Sequence, residues 1–396
     1  MINRIGGLGL LALAALGGLV PFPSGLAFGQ TETILYSFGG VRGEGANPYG
    51  GLLYKNGNLY GTTYDNAPSG SSGNVFEITA SGKYKVLYNF GSQPGDGIEP
   101  CDFGGLAFRG GKLYGTTLFA SGIGALGTVF DLTLKGKETV LHTFTGMPND
   151  GAHPFASVIF DKKGNLYGVT EEGGTDTCLG GCGVVYEITK SGEQKVLYSF
   201  QGLEDAIFPM ANLTFDKAGN LYGVGAGGAF AGGAVFEISS TGLERVVYSF
   251  GGLPSDGIIP YSGVVLDAKG NMYGTTYSGG AYGWGTVFEV SPTGEEKVLY
   301  SFGGQPNDGI DGYGNLVLDK SGNLFGATFL GGLYGKGTVF KLSPDGEEKI
   351  LYAFGSQAGD GNTPLGGLVL DPAGNLYGVT AYGGVYGFGT VFKITP

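Results

Sequence analysis

A chain of 396 residues with 83 glycines, 13% aromatic and only 14% charged residues is too rich in core-forming side chains to be a disordered polymer, and its glycines lack the triplet period of a collagen. Its formal charge of -12 argues against nucleic acid or an anionic membrane surface as a partner. No linker divides a length beyond what one hydrophobic core usually fills, so the expected solution is a repetition of small cores.

Residues 1–29 differ from everything after them. Arg4 precedes the apolar run Gly6 to Val20, then come Pro21, Pro23 and Ser24, and the segment closes on Ala27-Phe28-Gly29. That plan predicts a secretory signal peptide, because the uninterrupted run is shorter than the ~20 residues a membrane span needs. The expected location is therefore secreted, periplasmic or at the cell surface.

From Thr31 onward one unit repeats. Its aromatic marker falls at Tyr60, Tyr114, Tyr167, Tyr222, Tyr273, Phe325 and Tyr377, within the phrase Gly-Asn-Leu-Tyr/Phe-Gly. A second marker, the end of Val-Leu-Tyr-Ser-Phe, falls at Phe38, Phe90, Phe144, Phe200, Phe250, Phe302 and Phe354. In the fifth unit the pattern predicts four strands: Ser262 to Asp267, Met272 to Tyr277, Thr286 to Ser291 and Glu296 to Phe302, each bounded by Gly or Pro. The sequence opens with a fourth strand, Thr31 to Phe38, and ends with a third, Thr390 to Thr395. Joining the two completes a seventh unit. The expected fold is all-β: a single seven-bladed β-propeller over residues 30–396, with four-stranded blades and the last blade closed by the N-terminal strand.

The blade connections carry Asp-Gly-x-x-Pro, or a variant of it, beginning at Glu44, Asp96, Asp150, Asp205, Asp256, Asp308 and Asp360. One reading makes these seven groups a ring of oxygen ligands for a hard cation such as calcium; the other makes Asp-Gly a turn and Pro a stiffener before the inner strand. The longer loops between second and third strands break the symmetry with Tyr282 and Trp284, Tyr334 and Lys336, and Tyr386 and Phe388. Aromatic rings beside carboxylates can stack on sugars or other flat ligands, and they can equally pack over neighbouring blades.

Catalytic constellations are scarce. His142 stands where other units have Tyr, and His153 lies in a connection on the loop-rich face. No nucleophile elbow, phosphate-loop Lys or His-Glu-x-x-His motif is present. Cys178 and Cys182 share a short loop and are expected to form a disulfide in an exported protein, which leaves Cys101 single.

The phrases Gly-Thr-Val-Phe-Glu/Lys, Val-Leu-Tyr-Ser-Phe, Asp-Gly-x-x-Pro and Gly-Asn-Leu-Tyr-Gly together resemble the bacterial GloVer repeat of choice-of-anchor tandem repeat proteins, over nearly all of Thr31 to Pro396. The resemblance implies an exported or surface protein without an assigned biochemical role. The Asp-x-x-Gly-Asn turns at Asp161, Asp216, Asp267, Asp319 and Asp371 are also similar to those of NHL-type propellers. The resulting expectation is a monomeric, noncatalytic propeller that binds a glycan, small molecule or protein on its loop-rich face. The alternative is a secreted lyase or hydrolase acting on a polysaccharide or small molecule at the channel mouth.

Overall fold

In a computed structural model that describes residues 30–66, 72–100, 105–122, 124–175, 177–202 and 204–395, the phrase Asp319-Lys-Ser-Gly-Asn323 closes a hairpin with its own side chains. Asp319 Oδ1 accepts from the backbone of Asn323 at 2.8 Å, and Oδ2 accepts from its side-chain amide at 2.7 Å. Gly322 supplies the left-handed residue, at φ 84°. The first blade is one residue shorter here and turns through Asn56 and Gly57, both at positive φ, as a two-residue hairpin demands. The expected signal peptide at 1–29 and the single Cys101 lie outside the described residues.

The Leu-Tyr-Gly that follows each turn is the second strand, and its glycine answers to an aromatic ring. A Cβ on Gly274 would lie 2.6 Å from Cζ of Phe288 on the third strand, and Gly61, Gly223, Gly326 and Gly378 face a Phe at the same point. Since Phe288 is fully buried and held edge-on by Phe250 of the preceding blade, with centroids 4.9 Å apart, it cannot retreat. Gly274→Ala is therefore expected to destabilise the protein by about 1–3 kcal/mol through overpacking; an unchanged or raised melting temperature would contradict this account.

In the fifth blade the strands are Val265–Leu266, Met272–Thr276, Thr286–Val290 and Glu296–Ser301, paired antiparallel in that order. The inner strand is shorter than the sequence pattern suggests, except in the sixth blade, where Gly309–Leu318 forms one long bulged strand. Every outer pair contains a bulge: Val287 faces Tyr300 and Phe288 faces Val298, which leaves Leu299 as the extra residue. Seven such sheets form the propeller, and the described residues contain no helix. The ring closes as the sequence predicts, by Thr31–Ser37 pairing with Thr390–Thr395.

The apolar clusters lie between blades rather than within them. One joins Val287 and Phe302 of the fifth blade to Leu316, Leu324 and Phe340 of the sixth. Phe302 meets Phe340 edge-on, with centroids 5.3 Å apart. The same contact recurs at every seam, as Phe38–Phe76, Phe90–Phe130, Phe144–Tyr186, Phe200–Phe236, Phe250–Phe288 and Phe354–Phe392.

Candidate functional site

Each element of the Asp-Gly-x-x-Pro connection except one has a structural task. The carboxylate closes the turn that leaves the outer strand. Asp308 Oδ2 accepts from the Tyr300 hydroxyl at 2.8 Å and from the backbone amides of Gly303 and Gly304 at 2.8 and 3.1 Å. Asp96, Asp205, Asp256 and Asp360 each accept from the matching Tyr at 2.9 Å. Asp150 takes His142 Nε2 at 3.1 Å instead, so His142 replaces the Tyr in function as well as in position. Burial raises the Asp150 pKa, but the bonds from His142 and Thr145 outweigh it and hold the group below the usual range. Glu44 accepts from the Val41 amide at 2.9 Å.

The glycine packs against a threonine at the end of the second strand, where a Cβ on Gly257 would lie 2.5 Å from Thr276 Oγ1. The fourth blade reverses the pair, with Ala206 in the glycine position and Gly225 opposite it on the second strand, in place of the threonine. The proline caps the next seam: Pro48 Cδ would lie 2.7 Å from a Cβ on Gly389. Gly257–Ile258 also pairs with Ser278–Gly279, so the connection is a small two-stranded ribbon, where the sequence suggests a plain loop.

The exception is the residue before the proline. It is Asn47, Glu99, His153, Phe208, Ile259 or Thr363, and in the sixth blade, where Gly312 replaces the proline, Asp311; these are seven chemically different side chains on one backbone geometry, all at φ between 50° and 61°. Left-handed backbone outside glycine is uncommon and disfavoured, and it persists where surrounding bonds fix it. Here they do. Asp311 N donates to Trp284 O at 2.9 Å, and Ile259 O accepts from Tyr277 N at 2.9 Å, which ties the previous blade's long loop to the next blade's second strand.

Around this ring the connection face is aromatic and acidic. Tyr261 contacts Tyr277 and Tyr313 with centroids 5.7 and 5.5 Å apart, and Tyr313 contacts Phe329 at 6.1 Å. Asp311 lies beneath this group. Burial pushes its pKa up to about 6, opposed by a hydrogen bond from the Tyr277 hydroxyl. Burial, and then the charge of Glu171 on the third blade, raise the Tyr261 hydroxyl above its ordinary pKa. On the first and second blades Tyr64 donates to Glu99 at 2.6 Å, Tyr49 meets Tyr382 hydroxyl to hydroxyl at 3.3 Å, and Asp65 is raised by burial and then by Glu99. His153 Nδ1 lies 3.1 Å from Glu172.

His153 therefore belongs to the channel mouth. The loop aromatics do not. Trp284 lies over Gly303 and Tyr282 over Gly304, beside the outer strand of their own blade, and Phe388 and Tyr386 lie likewise over Gly39 and Gly40. Tyr334 and Lys336 cover Gly355. Tyr282 lines an open groove of about 360 Å³ at this outer rim. The seven connection carboxylates stay with their own turns, and among the described residues no three His, Cys, Asp or Glu side chains are grouped to hold a metal ion. Cys178 and Cys182 are joined in a disulfide. Sequence reasoning reaches Asp311 only as a weak cation partner of Asp308, and it passes over Tyr261, Tyr277, Tyr313 and Glu171; all five carry one signal, since when units are superimposed they fall at fixed positions where the residue type changes from blade to blade.

A family model described as the Gloeobacter/Verrucomicrobia repeat matches residues 24–229 and 224–396. No curated protein matches the chain. Among solved structures, the extracellular domain of a provisionally assigned hybrid two-component system from B. thetaiotaomicron aligns with a TM-score of 0.54 and 14% identity, over 93% of this chain and 41% of that one. That likeness is one of fold. A provisional gluconolactonase aligns at 14% identity and TM-score 0.44, over 94% and 93% of the two chains. A provisional 6-phosphogluconolactonase from Bacteroides uniformis aligns at 16% identity and TM-score 0.48, over 78% and 84%. Neither score carries an argument about activity. No helix among the described residues is long and apolar enough to cross a membrane.

Proposed function

The chain belongs to the Gloeobacter/Verrucomicrobia repeat family, and on that premise we propose that it is an exported, noncatalytic propeller that binds a carbohydrate at the channel mouth. The observation that carries this reading is the group Tyr261, Tyr277, Tyr313 and Phe329 set beside Asp311, with the charge of Glu171 acting on Tyr261. Aromatic faces stack on the C–H faces of a sugar, and carboxylates accept from adjacent hydroxyls. The groups named at this mouth include no Lys or Arg, which favours a neutral glycan over an anionic one. The test is a glycan array followed by titration of the best neutral ligand. Tyr313→Ala is expected to weaken binding about tenfold, the worth of one good aromatic contact, without moving the melting temperature. Binding that survives Tyr313→Ala and Tyr261→Ala together would remove the mouth from consideration.

One observation favours hydrolysis or lysis instead. A carboxyl raised to about 6, as at Asp311, is suited to exchange a proton near neutral pH. Product release from a bound glycan that Asp311→Asn abolishes would establish that reading. In the binding role, an ionised Asp311 is needed, so affinity is expected to fall as pH drops below about 6.

A further inference from the structure

One position at the start of each outer strand, its first residue except in the seventh blade, where it is Glu32 after Thr31, lies near the turn carboxylate of the preceding connection. Five of these meetings set an acid against an acid: Glu138 with Asp96, Glu244 with Asp205, Glu296 with Asp256, Glu348 with Asp308, and Glu32 with Asp360. Individual carboxyl oxygens here are buried, although Glu138, Glu244, Glu296 and Glu348 as whole side chains are half-buried. One oxygen of each Glu, and Oδ1 of Asp96, Asp256, Asp308 and Asp360, is buried without a hydrogen-bond partner among the described residues. Glu244 lies within hydrogen-bonding reach of Asp205. Two ionised carboxylates offer each other only acceptors, and a like charge beside a buried carboxyl disfavours its ionisation.

The remaining two seams show what the position requires. Opposite Asp150 the residue is Gln194, whose Nε2 stands 3.4 Å from Asp150 Oδ1. Opposite Glu44 it is Tyr84, whose hydroxyl is buried near that carboxylate but makes no hydrogen bond to it. Both bring a hydrogen-bond donor. A Glu can bring one only in its protonated form.

We infer that at five of the seven seams between blades a Glu keeps its proton beside the turn carboxylate of the preceding connection, so that the ring is held most firmly in mild acid and loosens as the pH rises through neutrality. The surroundings favour the proton. Facing the pairs are the hydroxyls of Tyr88, Tyr198, Tyr248, Tyr300 and Tyr352, the amide of Gln357, and Asp131 beside Glu138; among the described residues the cation acting on a pair is Arg245, beside Glu244. Burial first, and the partner carboxylate second, push all five Glu up to about 7. A folded-state pKa above the unfolded value of 4.5 means that the native state holds more protons in between. The stabilisation is thus complete below about 4.5 and is lost as pH rises through about 7. Deeper in acid, Asp150, Asp319 and Asp371 act oppositely, since each is held below the usual carboxylate range.

The test follows thermal unfolding of the whole protein from pH 4.5 to 9. The melting temperature is expected to fall by roughly 5–10 °C between pH 5 and 8. A variant carrying Glu138→Gln, Glu244→Gln, Glu296→Gln and Glu348→Gln should lose about four fifths of that fall, since only the Glu32 and Asp360 pair remains. Should that variant fail to fold, Glu296→Gln alone is expected to flatten the profile by about a fifth, in proportion to one pair of five. The infrared band of protonated carboxyl groups should persist in the wild type near neutral pH and shrink in the Gln variants. A flat wild-type profile, or Gln variants less stable than wild type at pH 8, would overturn the inference. So would a melting temperature at pH 8 that calcium raises in the wild type but not in the Gln variants, because the pairs would then hold a metal ion.

Discussion

Removal of residues 30–38 is expected to lower the melting temperature by more than roughly 10 °C and to make the protein scatter light in a concentration-dependent way. The strand Thr31–Ser37 makes six residue pairs with Thr390–Thr395 and completes the seventh blade. Without it the third strand of that blade becomes an unpaired edge, open to another chain. Phe38, fully buried, would leave the contact with Phe76 and Tyr84 that joins the seventh blade to the first. Loss of one buried Phe alone costs about 3–5 kcal/mol, and the paired backbone groups add to it. A synthetic peptide of residues 30–38 should restore monodispersity, as it replaces the edge. A truncated protein that stays monodisperse and melts unchanged would show that the ring closes without this strand.

The architecture is legible in the sequence because it is made of repeated local solutions. Asp319 and Asn323 bond within one turn, and Gly274 lies under Phe288 on the adjacent strand, so the residues that need one another are close in the chain and recur in every unit. The split blade is visible for the same reason, as a fourth strand at one end and a third at the other. What repetition hides is which side of a blade a conspicuous residue serves. Trp284 and Tyr282 stand out by type, yet both lie over the glycines that follow their own outer strand. Asp311 and Glu171 are unremarkable by type and gain meaning only in the assembled ring, where Asp311 meets Tyr277 and the charge of Glu171 acts on Tyr261. Nor does any single unit disclose the acid pairs. Glu296 meets Asp256 forty residues away, across a seam that exists only in the assembled ring.

Phe302→Ala is expected to cost about 3–5 kcal/mol in urea unfolding, since a fully buried ring is removed from a site that cannot collapse onto it. Val287, Leu316, Leu324 and Phe340 line that site and come from two sheets whose separation is set by their own strand pairing. The location of the cores at seams makes a sharper expectation possible. Phe302→Ala combined with Phe340→Ala should cost less than the sum of the two, because the two rings meet at 5.3 Å and share one cavity. Phe302→Ala combined with Phe90→Ala should cost the sum to within about 0.5 kcal/mol, because Phe90 packs on Phe130 at the separate seam between the first and second blades. The unfolding transition should stay single in all three variants, as a closed ring offers no free end from which blades can peel. Additivity within the Phe302–Phe340 seam, or strong coupling between the two distant seams, would mean that the seven cores do not act as separate units joined only by closure.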